Sequence, residues 1–256
     1  MSCSSHRWVA GTFRHSPGSD AGMRDSTPGS APGHTTASWS ARQLCRRNAV
    51  AAAVRRLEAI LAASKGDPLV IERAIYALGH AWAAAAAVVL LAQVPVTDPH
   101  PDVRLAFARA LPGGVAEEDE LRDRAIHALV VLSRADDPEV RDWAVFGLGQ
   151  IDADTPGVRD ALAARLDDSD DDARCEALVA LARTGDPRAL EALLDRLEDT
   201  ATTVWMLELE AASALAHPTL HAPLVALAGG WGDVEDEFAV AVRLAIARCH
   251  PGADAH

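Results

Sequence analysis

From Val50 the apolar side chains recur at three- and four-residue intervals. Val50, Ala53, Val54, Leu57, Ile60 and Leu61 share one stripe, and Gly66 stands where a helix would end. No run of strict apolar-polar alternation outlasts a few residues, so the pattern predicts about eleven or twelve helices and no sheet. Short turns rich in Asp, Pro and Gly separate the segments.

The turns recur with a period. Asp137-Pro138-Glu139-Val140-Arg141 leads into Gly147-Leu148-Gly149, and Asp170-Asp171-Asp172-Ala173-Arg174 leads into Ala180-Leu181-Ala182, so that Val140 and Ala173 are 33 residues apart, as are Leu148 and Leu181. Asp102-Val103-Arg104 lies 37 residues before the first turn, and Ala211 follows Ala177 by 34. A second marker keeps the same phase: Pro156, Pro187 and Pro218 are spaced by 31 and 31 residues. Each fits the first turn of a helix, where a missing N–H costs nothing and a fixed φ helps entry. In the helix after Pro187, Leu190, Leu193, Leu194 and Leu197 form a stripe that must meet another helix.

A unit this short buries too few apolar side chains to offset the ordering of its backbone, so neighbouring units must bury each other's flanks. The expected fold is all-α, an α-solenoid of stacked antiparallel helix pairs. It has about five repeats, clearest over residues 100–229, with capping helices near 41–64 and 233–249.

These units resemble HEAT repeats, in particular the short class called PBS-lyase HEAT-like, with its D-P-x-V-R…A-L-G and G-D-P-x-A-L segments. The segment from Val140 to Gly149, followed by Asp154-Thr155-Pro156-Gly157-Val158-Arg159, is similar to a bacterial group of HEAT-repeat proteins. The resemblance covers residues 67–229 and implies a stacked-helix scaffold. It also implies that Arg104, Arg141 and Arg174 form an inter-repeat hydrogen-bond ladder with turn acids, a pattern that lapses at Ile71 and Glu208. Through its bilin-lyase members it carries an alternative, an accessory role in handling tetrapyrroles, although no residue here identifies a pigment site.

Composition changes the picture at the ends. Residues 1–40 hold nine Ser, four Thr, five Gly and three Pro with no apolar period, which predicts a disordered tail ahead of a domain at 41–256. Met23 inside it leaves open a start placed too far upstream. Residues 1–48 carry six Arg against Asp20 and Asp25, while the whole chain stands at −13. So acidic a body repels phosphate backbones, and nucleic acid is excluded as a partner. Cys3, Cys45, Cys175 and Cys249 show no metal or redox spacing, and no secretory leader is evident, so the expected location is cytoplasmic. Residues 74–97 are uncharged over the length of a membrane span. Gly79-His80, five consecutive alanines, Gln93 and Pro95 favour a buried helical hairpin there, with a span as the alternative.

The chain offers no catalytic constellation, and the expectation is a non-enzymatic protein with no cofactor and no metal. The run Asp167 to Asp172 has Ala173 and Val179 where a calcium loop beginning at Asp168 needs Gly and Glu. His217 and His221 are four apart, but Pro218 between them makes His217 a cap residue. Asp142-Trp143 sits in an acidic chain, and Trp143 falls on the stripe of Val140, Ala144 and Leu148, which reads as core. Phe146 is placed on the opposite face, as an exposed contact or as packing against a neighbour. Counting from the three prolines, the outward positions of the second helices are Asp160, Glu191 and Asp195, then Ala222 and Ala226. The resulting expectation is a scaffold or adaptor whose acidic stripe engages a basic or amphipathic segment of another protein.

Overall fold

The computed structural model describes residues 51–52, 55–56, 58–64, 66–79, 89, 91–112, 119–198, 203–229 and 236–252. The expected tail at 1–40, residues 41–50, 53–54 and 57 of the expected capping helix at 41–64, and residues 80–88 and 90 of the uncharged hairpin lie outside them. Among the described residues no helix is long and apolar enough to cross a membrane.

Ten α-helices are described, with no strand among the described residues: α1 Pro68–Gly79, α2 Pro101–Ala110, α3 Asp119–Leu132, α4 Pro138–Ile151, α5 Pro156–Ala163, α6 Asp171–Arg183, α7 Pro187–Glu198, α8 Met206–Leu215, α9 His221–Gly229 and α10 Glu237–Arg248. A 3-10 turn, Pro218–Leu220, leads into α9. Residues 58–63 are also helical.

Proline sets the starts. Pro68, Pro101 and Pro138 open α1, α2 and α4, while Pro156 and Pro187 open α5 and α7 and Pro218 opens the 3-10 turn. Asp137, Asp170 and Asp236 accept the backbone N–H of Val140, Ala173 and Ala239 respectively, which caps α4, α6 and α10. The ends use the left-handed conformation at Asp152 (φ 55°), Gly185 (φ 66°) and Ala216 (φ 48°).

Packing follows the period. The first helices α2, α4, α6, α8 and α10 stack one on the next, with α1 against α2, while α3, α5, α7 and α9 lie alongside them as the second helices. One core runs through the described stack: Phe107, Leu129, Leu148, Leu181, Leu193, Leu209 and Leu220 are each fully enclosed. The enclosed first helices are rich in alanine, as at Ala173, Ala177, Ala180 and Ala182 of α6, which lets neighbouring backbones approach closely. The α-solenoid expected from periodicity is therefore the observed fold.

Candidate functional site

Arg104, Arg141 and Arg174 each stand four residues after the N-cap of α2, α4 and α6 (His100, Asp137 and Asp170). Each guanidinium folds back to donate to the carbonyl oxygen six residues earlier: Asp98 at 2.6 Å, Ala135 at 3.0 Å and Asp168 at 3.0 Å. Arg141 goes further. Its Nε and Nη2 reach both carboxylate oxygens of Asp168, in the turn of the next repeat, at 2.9 and 2.7 Å. Arg165 adds a third donor at 3.0 Å, and the Asp170 backbone N–H a fourth.

Asp168 is thereby enclosed, its side chain 2% exposed. Burial, the largest single influence, pushes its carboxyl up, but the Arg141 hydrogen bond, the Asp170 amide and the Arg141 and Arg165 charges together hold it below the usual carboxylate range. Arg141 is correspondingly held charged, first by its hydrogen bond to Asp168. The acids two residues before these arginines do something else where their partners are known: Glu139 pairs with Arg109 of the preceding repeat. At the third position of α8, 34 residues after Arg174, the pattern inverts. Glu208 accepts the Trp205 backbone N–H at 2.7 Å and Arg196 of α7 at 2.7 Å.

The aspartate run is thus distributed among structural tasks. Asp168 joins two repeats, Asp170 caps α6 and Asp171 pairs with Arg174. Among the described residues no group of three or more His, Cys, Asp and Glu side chains is set to hold a metal ion. His217 caps the 3-10 turn through Thr219, and His221 meets His250 edge-on with ring centroids 5.2 Å apart.

The second helices carry the outward acids. Asp160 on α5 and Glu191 and Asp195 on α7 are all exposed. Asp160 does not stand alone: Arg188, near the start of α7, reaches its Oδ1 at 2.9 Å while also gripping both oxygens of Asp186. Arg159 on α5 holds Asp154, bonds the Thr184 carbonyl and lies 3.8 Å from Asp186. An alternating chain, Asp154, Arg159, Asp186, Arg188, Asp160, therefore stitches the beginnings of α5 and α7 together. The hydrogen bond from Arg188 is the main reason the Asp186 carboxyl lies below its ordinary value, and Arg159 does the same for Asp154. Glu191 and Asp195, one turn apart on the outer side of α7, have no ion pair among the described residues.

Sequence reasoning missed this chain, which is legible in hindsight as Asp154-Thr155-Pro156 and Asp186-Pro187-Arg188, an acid ahead of each proline and an arginine behind it. Phe146 requires a correction. It is not opposite Trp143 but beside it, with ring centroids 5.5 Å apart at an interplanar angle of 81°. Residues three apart on a helix are neighbours, and that places both rings on one flank of α4. Both are half-buried rather than core. The Arg109 guanidinium lies 4.5 Å above the Trp143 ring and donates to Tyr76 Oη at 2.6 Å, so a row of Tyr76, Arg109, Trp143 and Phe146 crosses three successive first helices.

Comparison with known proteins agrees with this architecture. Residues 126–216 match the family model described as HEAT repeats. Protein YibA of Escherichia coli strain K12 is 31% identical over 129 residues, which are 50% of this chain and 43% of YibA. The chain thus spans less than half of that relative's length. Among solved structures, that of the E. coli YibA protein has a TM-score of 0.48 at 19% identity, covering 85% of this chain and 89% of its own. A crystal structure of an engineered protein has a TM-score of 0.52 at 19% identity over 77% of this chain and 96% of its own. Over residues 126–216 the chain is thus built of HEAT repeats, with first helices stacked on first helices, prolines opening the second helices and Arg141 joining the turns of α4 and α6.

Proposed function

We propose that this protein is a non-enzymatic, cytoplasmic scaffold that binds another protein, and that its second-helix surface around α7 takes a basic or amphipathic segment of that partner. The observation that carries this reading is the pair Glu191 and Asp195, exposed one turn apart on α7 without an ion pair among the described residues. The acids around them, Asp154, Asp160, Asp168 and Asp186, are each engaged by an arginine. Charges used to hold repeats together are thereby separated from charges turned outward. Stacked repeats supply a rigid, extended surface for such contacts, and an acidic stripe on it steers and selects a basic segment more than it adds raw affinity. Asp160 serves as the flank of this surface, its charge shared with Arg188.

Affinity purification from the native host with the wild-type chain and with Glu191→Lys/Asp195→Lys tests the reading. Both substitutions are exposed, so helicity and melting are expected to stay unchanged. The expected result is a partner kept by the wild type, eluted by raised salt and lost by the variant. Equal recovery of every partner by both proteins overturns the acidic-stripe assignment and leaves the fold untouched.

A further inference from the structure

His217 and His221 invite pairing by their spacing in the sequence, but the fold gives them separate tasks. The His217 Nδ1 accepts the backbone N–H of Thr219 at 3.4 Å and lies 2.7 Å from the Thr219 hydroxyl. His221 instead meets His250, with ring centroids 5.2 Å apart and planes at 90°.

Both imidazoles stand on fixed supports. His221 opens α9 directly after the 3-10 turn, its N–H donating to the Pro218 carbonyl, and the side chain of Leu220 before it is fully enclosed. His250 follows Cys249, which ends α10. The Cys249 N–H donates to the Ala245 carbonyl at 2.9 Å, and its enclosed thiol donates to the Ala212 carbonyl of α8 at 3.4 Å. The chain then turns back, the Gly252 N–H donating to the His250 carbonyl at 2.7 Å. A Cβ on Gly252 would lie 3.6 Å from His250 Nδ1 and 3.9 Å from Cε1, so that edge of the ring rests beside the turn and Nε2 stands clear of it.

Two imidazoles that share one tetrahedral ion, each nitrogen about 2.0 Å from it, have ring centres about 5 Å apart. The separation of His221 and His250 is of that size, and perpendicular rings let two nitrogen-bearing edges converge. His221 is half-buried and His250 exposed, so an ion enters from solvent. No residue of α9 is charged, and the guanidinium of Arg248 is turned to the Ser213 carbonyl of α8 at 3.4 Å. We propose that His221 and His250 bind a transition-metal ion of the zinc class, which clips the turn after α10 to the start of α9. Imidazole suits zinc, copper and nickel, whereas magnesium and calcium want oxygen. With two protein ligands the remaining positions go to water, so the ion exchanges, unlike zinc in a closed four-ligand site. An ion held by the assembled pair of helices also stabilises that pair.

Nuclear magnetic resonance of the full chain during titration with zinc(II) tests this, because ten histidines are present and the response must be read ring by ring. The imidazole signals of His221 and His250, assigned through His221→Gln and His250→Gln, are expected to move together below about 100 μM ion, a concentration that loads a site of micromolar affinity. Losing a ligand costs at least the roughly tenfold that losing a supporting partner costs, so either substitution leaves the other ring's signal unmoved, while His217→Gln keeps the paired response. Zinc(II) is expected to raise the melting midpoint of the wild type and to raise it less for His250→Gln, which alters an exposed ring and keeps the fold. Rings that do not respond overturn the proposal. So does a His221 response that survives His250→Gln and disappears with His217→Gln, which assigns the ion to the sequence neighbours, or a His250 response that survives His221→Gln.

Discussion

Gly147 and Gly149 stand two residues apart in α4 with opposite relations to their surroundings. A Cβ on Gly147 would sit 2.9 Å from Pro112 Cγ and 3.1 and 3.2 Å from the methyls of Leu129, while one on Gly149 would make an ordinary contact with Ala180. Gly147→Ala therefore overpacks the joint with the preceding repeat, at a cost of about 1–3 kcal/mol, against a helix-propensity gain of about 0.8–1 kcal/mol. The net expectation is a loss of about 1 kcal/mol. Gly149→Ala keeps the propensity gain and is expected to stabilise by about 0.5–1 kcal/mol. Urea denaturation of the two variants beside the wild type measures both, and midpoints moving in the same direction contradict the assigned packing. Both glycines belong to a motif recognisable in the sequence, yet periodicity places them equally near a neighbour and is silent on which one is pressed against Pro112. The same blindness misplaced Phe146. A stripe drawn through Trp143 to Leu148 fixes which side chains point inward, but not how two large rings at its margin settle against each other and under Arg109.

At the scale of the helices, starts were more legible than ends. Proline and aspartate act through fixed φ and a short side chain at known positions, and those features survive in the sequence as Pro156, Pro187 and the Asp137 turn. Ends rely on a backbone conformation that several residue types adopt at different cost. Gly185 after α6 adopts φ 66° freely, whereas Ala216 after α8 adopts φ 48° with a Cβ that the left-handed region disfavours by about 1–2 kcal/mol. Ala216 reads in the sequence as the last member of an Ala-Leu-Ala stripe, and nothing in its identity announces a turn. Its N–H donates to the Ala212 carbonyl at 3.0 Å, a bond that glycine would keep. Ala216→Gly is expected to stabilise by about 0.5–1 kcal/mol, the relief of strain being partly offset by the greater freedom of glycine in the unfolded chain. Calorimetric melting checks this, and a lowered midpoint shows that α8 does not end through that conformation.

Across the whole stack, the period in the sequence specifies how many joints there are, while the side chains that lock them differ from joint to joint. Arg109 with Glu139, Arg141 with Asp168, Arg183 with Glu210 and Arg188 with Asp160 each tie one repeat to the next, but only the second pair is enclosed, with side chains 10% and 2% exposed. Exposed pairs contribute about 0–1 kcal/mol. Breaking an enclosed one by removing a partner costs about 3–5 kcal/mol, because a buried charge is left unmatched. Asp168→Asn is therefore expected to lose about 3 kcal/mol at neutral pH. The dependence on acidity follows from linkage. The Asp168 carboxyl is depressed in the folded state, so the unfolded chain binds its proton first, and the stabilisation is complete above the ordinary carboxylate value of about 4. It fades as the pH falls below that value and through the depressed one. Asp154 and Asp186 are depressed too, but they titrate identically in the wild type and the variant and cancel in the difference. The gap between the two unfolding free energies in urea should accordingly close on passing from neutral to strongly acidic solution. A gap that stays constant across that range means that the charge of Asp168 does not hold the α4 and α6 repeats together, and that the joint is secured by the apolar faces around Gly149 and Ala180 alone.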